Sequence, residues 1–214
     1  MHCDDITLAF DTSAAHCAAA LLCGDELLAQ QHADMARGQA EHVIPMLDAL
    51  LAQAGLKWSD LSRLAVGIGP GNFTGTRIAV AAARGLALGL AVPAIGVSFF
   101  AARAQGLPRP LTVVEDARRG EVYMQQFSPE PEPPCLCHLS DAQSCGAGAV
   151  VGSAAELWAA QTGAQVVRPA YPLAEAIARV AYEQRSQTHP RPAPLYLRAT
   201  DAAPPSDRSP QLLT

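Results

Sequence analysis

The chain has 214 residues, half of them apolar and 16% charged, with a net charge of −5. That length buries a sizeable core and suits one compact unit or two small subdomains. The acidic balance excludes a global basic footprint for nucleic acid, and no run approaches the roughly 18–20 apolar residues that cross a bilayer as a helix. Asp4 and Asp5 in the first ten residues, without a cationic segment, argue against a secretory leader and for a cytoplasmic address. Lys57 is the one lysine among fifteen lysines and arginines, a coding bias rather than a functional signal. The six cysteines, Cys3, Cys17, Cys23, Cys135, Cys137 and Cys145, fit neither a disulfide framework nor paired zinc knuckles. Free thiols in a reducing compartment are the expectation.

Ile6–Phe10 and Ala18–Leu22 are apolar runs that predict strands, and Glu26–Gln30 predicts a weaker third after a Gly24-Asp25 turn. Asp11-Thr12-Ser13 ends the first strand, where α/β proteins commonly place binding groups. The simpler reading is a turn in which Asp11 and Ser13 bond local amides. Gln39–Ala54 has a helical period, with Val43, Met46, Leu47, Leu50, Leu51 and Ala54 on one face. Pro45 means that this helix either starts near Ile44 or starts near Gly38 and bends. Gly55 ends it.

Arg63–Ile68 predicts a strand that runs into a glycine-rich turn, Gly69-Pro70-Gly71-Asn72-Phe73-Thr74-Gly75. Ile78–Leu90 then predicts a helix, apolar nearly all round and therefore buried on most of its surface. Its Gly85 and Gly89 would let another helix approach closely. A short helix follows over Phe99–Gln105, with Ser98 as N-cap. The second half predicts a hairpin of Leu111–Val114 and Val122–Phe127 with a charged tip at 115–121, then a Pro-rich loop over Ser128–Cys137. Val150-Val151 and Gln165–Arg168 read as short strands. Helices are predicted over Ser153–Thr162, with Ser153 as N-cap and Glu156 at the capping-box position, and over Pro172–Arg185. Pro194–Arg198 reads as extended. There is no internal sequence repeat of 20–50 residues, and a break between subdomains falls near Gly106–Pro110.

The glycine-rich turn invites two readings. It is neither a Walker A loop, since no Lys-Ser/Thr follows the glycines, nor G-x-G-x-x-G, since the third spacing is wrong. Free amides at a helix start, with Gly69, Gly71, Thr74 and Gly75 at hand and Thr76 and Arg77 nearby, could still hold a phosphate or carboxylate. A rigid strand-to-helix connection that needs glycine for its backbone angles accounts for the same residues. Chemistry alone leaves the two open. No H-E-x-x-H or H-x-x-x-H pair exists among His2, His16, His32, His42, His138 and His189, so no catalytic metal is expected. No G-x-S-x-G elbow is present either. Arg118, Arg119 and Glu121 could meet a charged group, but a solvated turn is the simpler reading.

The segments L-A-F-D-T-S (8–13), A-E-H-V-I-P-M-L (40–47), G-I-G-P-G-N-F-T-G-T-R-I-A (67–79) and G-L-A-L-G-L-A-V-P (85–93) resemble the bacterial TsaB (YeaZ) family. G-V-S (96–98), D-A-R-R-G-E-V-Y (116–123) and P-L-Y-L-R (194–198) match it in type and order. Asn72 stands where the family usually has Ser, and Thr76 where it often has Leu. Residues 129–148 match nothing in it.

The resemblance implies an α/β protein of the actin-like ATPase (ASKHA) fold, with two related subdomains each built round a mixed sheet. These would be residues 1–106, which carry the partner-binding helices, and 107–200, with 201–214 as a disordered tail. It implies a non-catalytic scaffold that pairs with TsaD, the catalytic paralogue, in N6-threonylcarbamoylation of adenosine 37 of tRNAs. TsaE, a small ATPase, would join them. The chain alone would form a homodimer, would touch tRNA only through the complex, and would have no cofactor of its own, with ATP or ADP at the interface with TsaD. The expected partner surface is His42, Met46, Leu47, Arg77, Val80, Ala81 and Arg84, where paired helices would make a self-complementary four-helix contact. Two alternatives stand beside it: a glycoprotease-like hydrolase with a cleft between subdomains, and a stand-alone nucleotide-binding ATPase of the same fold. The first lacks metal ligands and a nucleophile context. The second lacks an adenosine-binding glycine motif, Gly146-x-Gly148 being short. These absences move weight towards a glycine turn that presents a helix to a partner.

Overall fold

A computed structural model describes residues 5–144 and 148–198. Gly146 and the expected tail 201–214 lie outside the described residues.

The first sheet is organised round β1 (Ile6–Asp11), whose six residues are all buried. β1 pairs antiparallel with β2 (His16–Cys23), which pairs antiparallel with β3 (Glu26–Asp34). After α1 (Gln39–Gln53), β4 (Arg63–Gly67) lies parallel to the other edge of β1, with Leu8 opposite Leu64. α2 (Phe73–Leu90) then leads to β5 (Ala94–Val97), parallel to β4, for a spatial order β3-β2-β1-β4-β5. Helices cover both faces, so β1 reads as a continuous apolar run rather than an alternating one. Leu8 and Phe10 face Val43, Leu47 and Leu50 of α1. Ala9 faces the opposite layer.

α3 (Phe99–Ala104) leads to the second sheet. There β6 (Leu111–Arg118) pairs antiparallel with β7 (Glu121–Ser128), and β7 carries both β8 (Glu130–Pro131) and β9 (Cys135–His138). β10 (Ala149–Val151) lies parallel to β6, and after α4 (Ala155–Thr162), β11 (Gln165–Val166) lies parallel to β10. Trp158 of α4 packs with Val114, Val122 and Val150. Each sheet therefore repeats one plan: a hairpin, a parallel strand on the free edge of the first hairpin strand, a helix, and a further parallel strand. The repeat is one of topology, carried by different side chains, and so leaves no sequence repeat.

The last helix, α5 (Leu173–Glu183), does not stay with the second sheet. Its Ala176, Ile177, Val180 and Ala181 pack on Ala9, Leu22, Ala65 and Ile95, on the face of the first sheet opposite α1. Residues 173–183 therefore belong spatially with the N-terminal unit, although the sequence division at 106/107 groups them with the second. α3 joins the two units. Phe100 and Ala104 enter the cluster of Leu111, Val113 and Phe127, while Ala102 enters that of α5. Glu115 reinforces the join: it accepts from Arg103 Nε at 3.1 Å and from the Ser153 hydroxyl at 2.6 Å.

Several local expectations change. α1 starts at Gln39 after Gly38 (φ 92°) and runs through Pro45. α2 starts at Phe73, not Ile78, because Asn72 caps it: the side-chain oxygen of Asn72 accepts from Gly75 N at 2.9 Å. The expected loop over 128–137 contains strand, since β7 offers an edge that β8 and β9 cover. Ser153 does not cap α4, because its hydroxyl is committed to Glu115. Among the thiols, Cys17 and Cys135 are free as expected, whereas Cys23 is disulfide-bonded. No helix among the described residues is long and apolar enough to cross a membrane.

Candidate functional site

The glycine-rich turn is packed onto the end of β1. A Cβ on Gly75 would lie 1.9 Å from Thr12 O, one on Gly71 would lie 2.5 Å from Ser13 O, and one on Gly67 would lie 2.0 Å from Asp11 Oδ2. Only glycine tolerates these approaches. Gly69 has φ +88° and follows the same logic by conformation. Hydrogen bonds close the contact. Asn72 N donates to Ser13 O at 2.6 Å, and Thr12 Oγ1 donates to Gly75 O at 2.7 Å. Asn72 Oδ1 takes the Gly75 amide, and Asn72 O takes the Thr76 amide at 2.9 Å. Of the four residues predicted as an anion cradle, Gly71 and Gly75 are packed against the backbone of Ser13 and Thr12, Gly69 O accepts from Phe99 N at 2.7 Å, and Thr74 is exposed on the first helical turn.

Asp11 sits beneath this turn, fully buried. Its Oδ1 accepts from Ser13 N at 2.9 Å, Ser13 Oγ at 2.8 Å and His16 Nε2 at 2.9 Å. This is the local turn that the sequence suggests. Ser13 donates to the carboxylate rather than to the histidine, so Asp11, Ser13 and His16 are not ordered as a nucleophile–base–orienter relay. Asp11 Oδ2 packs against Gly67 with no hydrogen-bond partner among the described residues. Burial, and then the Asp11 charge, pushes the neighbouring Cys17 thiol up. Among the described residues no three His, Cys, Asp or Glu side chains group as a metal site.

Beyond the turn, α2 is not buried on most of its surface. Its inner face gives Ala79, Val80 and Ala83 to the core, while Phe73, Arg77, Ala81, Arg84 and Leu88 are exposed. That spacing is one helical stripe. Leu88 is 83% exposed and Phe73 47%, unusual for such side chains on an isolated helix face. Arg77 is held over the Phe73 ring at 3.6 Å and donates from Nε to the Tyr196 hydroxyl at 2.8 Å. Arg77, Val80, Ala81 and Arg84, with Pro194 and Tyr196, line a groove of about 440 Å³.

The seven residues expected at a partner surface therefore divide. Arg77, Ala81 and Arg84 lie together on the exposed stripe, and His42 is half-buried on α1. Met46, Leu47 and Val80 are 5%, 0% and 3% exposed, inside the chain's own core. Helical periodicity finds the apolar face of α1, and that face packs on the sheet. The residues which that reading missed are Phe73, Leu88 and Tyr196. Asn72 as an N-cap was the available signal for Phe73, because it extends the helix back by one turn and continues the stripe through it. At the hairpin tip, Glu121 pairs with Arg198 at 2.7 Å, which leaves Arg118 and Arg119 as the solvated cations.

Two mixed sheets with flanking helices place the chain in the actin-like ATPase fold class. Component A of the Acidaminococcus fermentans (R)-2-hydroxyglutaryl-CoA dehydratase, 11% identical, superposes with a TM-score of 0.54 over 85% of this chain and 99% of its own. The family model described as "TsaD: tRNA N6-adenosine threonylcarbamoyltransferase" matches residues 28–142. YeaZ from Pseudomonas aeruginosa superposes with a TM-score of 0.73 at 27% identity, over 90% of this chain and 100% of its own. The tRNA threonylcarbamoyladenosine biosynthesis protein TsaB of Escherichia coli (strain K12) is 37% identical over 126 residues, 56% of this chain and 54% of that protein. The chain spans about half the length of the curated relatives it matches first. The chain belongs to the TsaB (YeaZ) family.

Proposed function

We propose that this chain is a non-catalytic subunit in tRNA threonylcarbamoyladenosine biosynthesis. It would dock its α2 stripe on TsaD and support N6-threonylcarbamoylation of adenosine 37. The observation that carries the reading is the exposed face of α2, with Phe73, Ala81 and Leu88 open to solvent and Arg77 fixed between Phe73 and Tyr196. An apolar stripe with one pre-oriented arginine on a rigid helix suits a protein interface better than it suits solvent. The glycine turn supports the reading by its role as a brace. Thr12, Ser13, Asn72 and Gly75 spend polar groups on one another, which fixes the angle at which α2 leaves the sheet.

On this reading the chain works in the cytoplasm, forms a homodimer through the same stripe when alone, and is joined by TsaE once TsaD is bound. It holds no cofactor of its own, and ATP or ADP binds only where TsaD completes the site. Against the hydrolase alternative, the Ser13 hydroxyl donates to Asp11 Oδ1 and not to a histidine base; against the ATPase alternative, the Asn72 amide of the turn is taken by Ser13 O and the Gly75 amide by Asn72 Oδ1. Reconstitution tests the proposal. TsaD, TsaE, threonylcarbamoyl-adenylate and a substrate tRNA are incubated with and without this protein, and the modified nucleoside is quantified. Modification that depends on the protein is expected. Equal modification without it, or turnover of ATP or a peptide by the chain alone, would reject the proposal.

A further inference from the structure

A second groove, of about 720 Å³, lies between the C-terminal half of α2 and the segment that follows α5. Its charge is one-sided. Arg84, Arg185, Arg191 and His189 line it, and none of the lining residues is an Asp or Glu. In a chain of net charge −5 these three arginines are a local concentration of cations against the global balance. Arg84 and Arg191 are exposed and have no hydrogen-bond or ion-pair partner among the described residues. Arg185 is held in place: its guanidinium lies 4.1 Å over the Tyr182 ring, NH1 donates to Tyr182 O at 2.9 Å, and Nε approaches Asp5 Oδ2 at 3.7 Å. His189 Nε2 donates to Gln184 O at 2.8 Å, which holds the ring in the groove wall. Pro190 and Pro192 stiffen the wall that carries Arg191. Thr188 adds a hydroxyl.

The structure assigns this groove, we infer, to the phosphodiester backbone of an RNA. Arginine is the side chain whose planar fork matches phosphate oxygens in two-point contacts, and such contacts position a strand without reading its sequence. The volume exceeds what a single phosphate needs, and Arg84 lines both this groove and the one on the α2 stripe. The wall that follows α5, with Arg185, Thr188 and Arg191, lies off the α2 stripe, so an RNA held by a partner on α2 would meet that wall at the edge of the partner contact. The assignment rests on the tRNA-pathway reading above and adds a direct RNA contact by this subunit.

The test uses the full chain, alone and in complex with TsaD, and a fluorescent substrate tRNA titrated at several salt concentrations. Arg191→Glu is the probe, Arg191→Lys the conservative variant, and Arg119→Glu at the remote hairpin tip the control for net charge. Arg191→Glu is expected to weaken tRNA binding by about three- to tenfold and to lower the salt slope by about one, whereas Arg191→Lys keeps the salt slope and loses only part of the affinity, because lysine preserves the charge without the two-point contact. Equal effects from Arg191→Glu and Arg119→Glu would overturn the assignment, as would an absence of tRNA binding by the wild-type complex. Displacement of bound tRNA by millimolar ATP or by an acidic peptide, with loss of that competition in Arg191→Glu but unchanged tRNA affinity, would reassign the groove and overturn the RNA contact. Reconstituted modification is measured in parallel. If the wild-type chain supports modification while Arg191→Glu binds tRNA normally, only the groove assignment fails; if it supports none, the pathway reading fails.

Discussion

Gly75→Ala tests the claim that the glycine turn braces α2. The new Cβ would stand 1.9 Å from Thr12 O, which is backbone and cannot swing away. The two segments must separate by about 1 Å to reach even the tightest tolerated contact. Separation breaks the 2.7 Å bond from Thr12 Oγ1 to Gly75 O, a net loss of about 1 kcal/mol. It also misaligns the Asn72 cap, worth about 1 kcal/mol. Overpacking adds about 1–3 kcal/mol, while the better helix propensity of alanine returns up to about 1 kcal/mol. The net expectation is a loss of about 3 kcal/mol, a large share of the stability of a typical domain. Urea unfolding followed by far-UV circular dichroism measures it directly. A chain of this length should lose about 6–12 °C in Tm. A loss below about 1 kcal/mol would refute the reasoning, because Thr12 and Gly75 would then be free to part at no cost.

The other predictions concern α2 and the buried thiol. Ala81→Glu, at an exposed position on the stripe, should leave the unfolding midpoint of the monomer within about 0.5 kcal/mol of wild type and abolish self-association and TsaD binding. Light scattering that showed an unchanged dimer or complex would remove the stripe from the interface. Gly85 and Gly89 face open space, with nothing within 4 Å of an added Cβ. The double change to alanine should stabilise the monomer by about 1–2 kcal/mol but weaken association, because the partner helix would lose its close approach; a gain in both would show that no helix packs there. Cys17 is fully buried, with its thiol pushed above the ordinary value of 9.0 by burial and by Asp11. Since the folded value is the raised one, its contribution to stability is complete below pH 9.0 and is lost as pH rises through the folded value. Cys17→Ser should flatten the alkaline fall in stability measured by denaturation from pH 8 to pH 10.5, and at pH 8 an alkylating reagent should modify exposed Cys135 well before Cys17.

Much of the fold was legible because local chemistry and tertiary environment agree. The apolar run at 6–10, the period of 39–54, the Ser98 cap and the Pro172 start each name an element that forms where expected. Legibility failed where a side chain had two possible employers. Ser153 has the spacing of a cap, but Glu115, distant in sequence, takes its hydroxyl. Cys135–His138 reads as loop from its prolines, but β7 supplies an open edge.

The sequence by itself determined that residues 67–84 hold a glycine turn feeding a small-residue helix, since those residue types and that spacing admit little else. It also determined the resemblance that the family match bears out. Only the tertiary structure decided what the glycines are for. Gly71 and Gly75 make room for the backbone of Thr12 and Ser13, which lie about sixty residues away in the chain and are brought into contact by the parallel pairing of β1 with β4. It also decided which face of each helix is left over. Periodicity locates an apolar face but cannot say whether the chain's own sheet covers it; for Met46, Leu47 and Val80 it does, and for Phe73, Ala81 and Leu88 it does not.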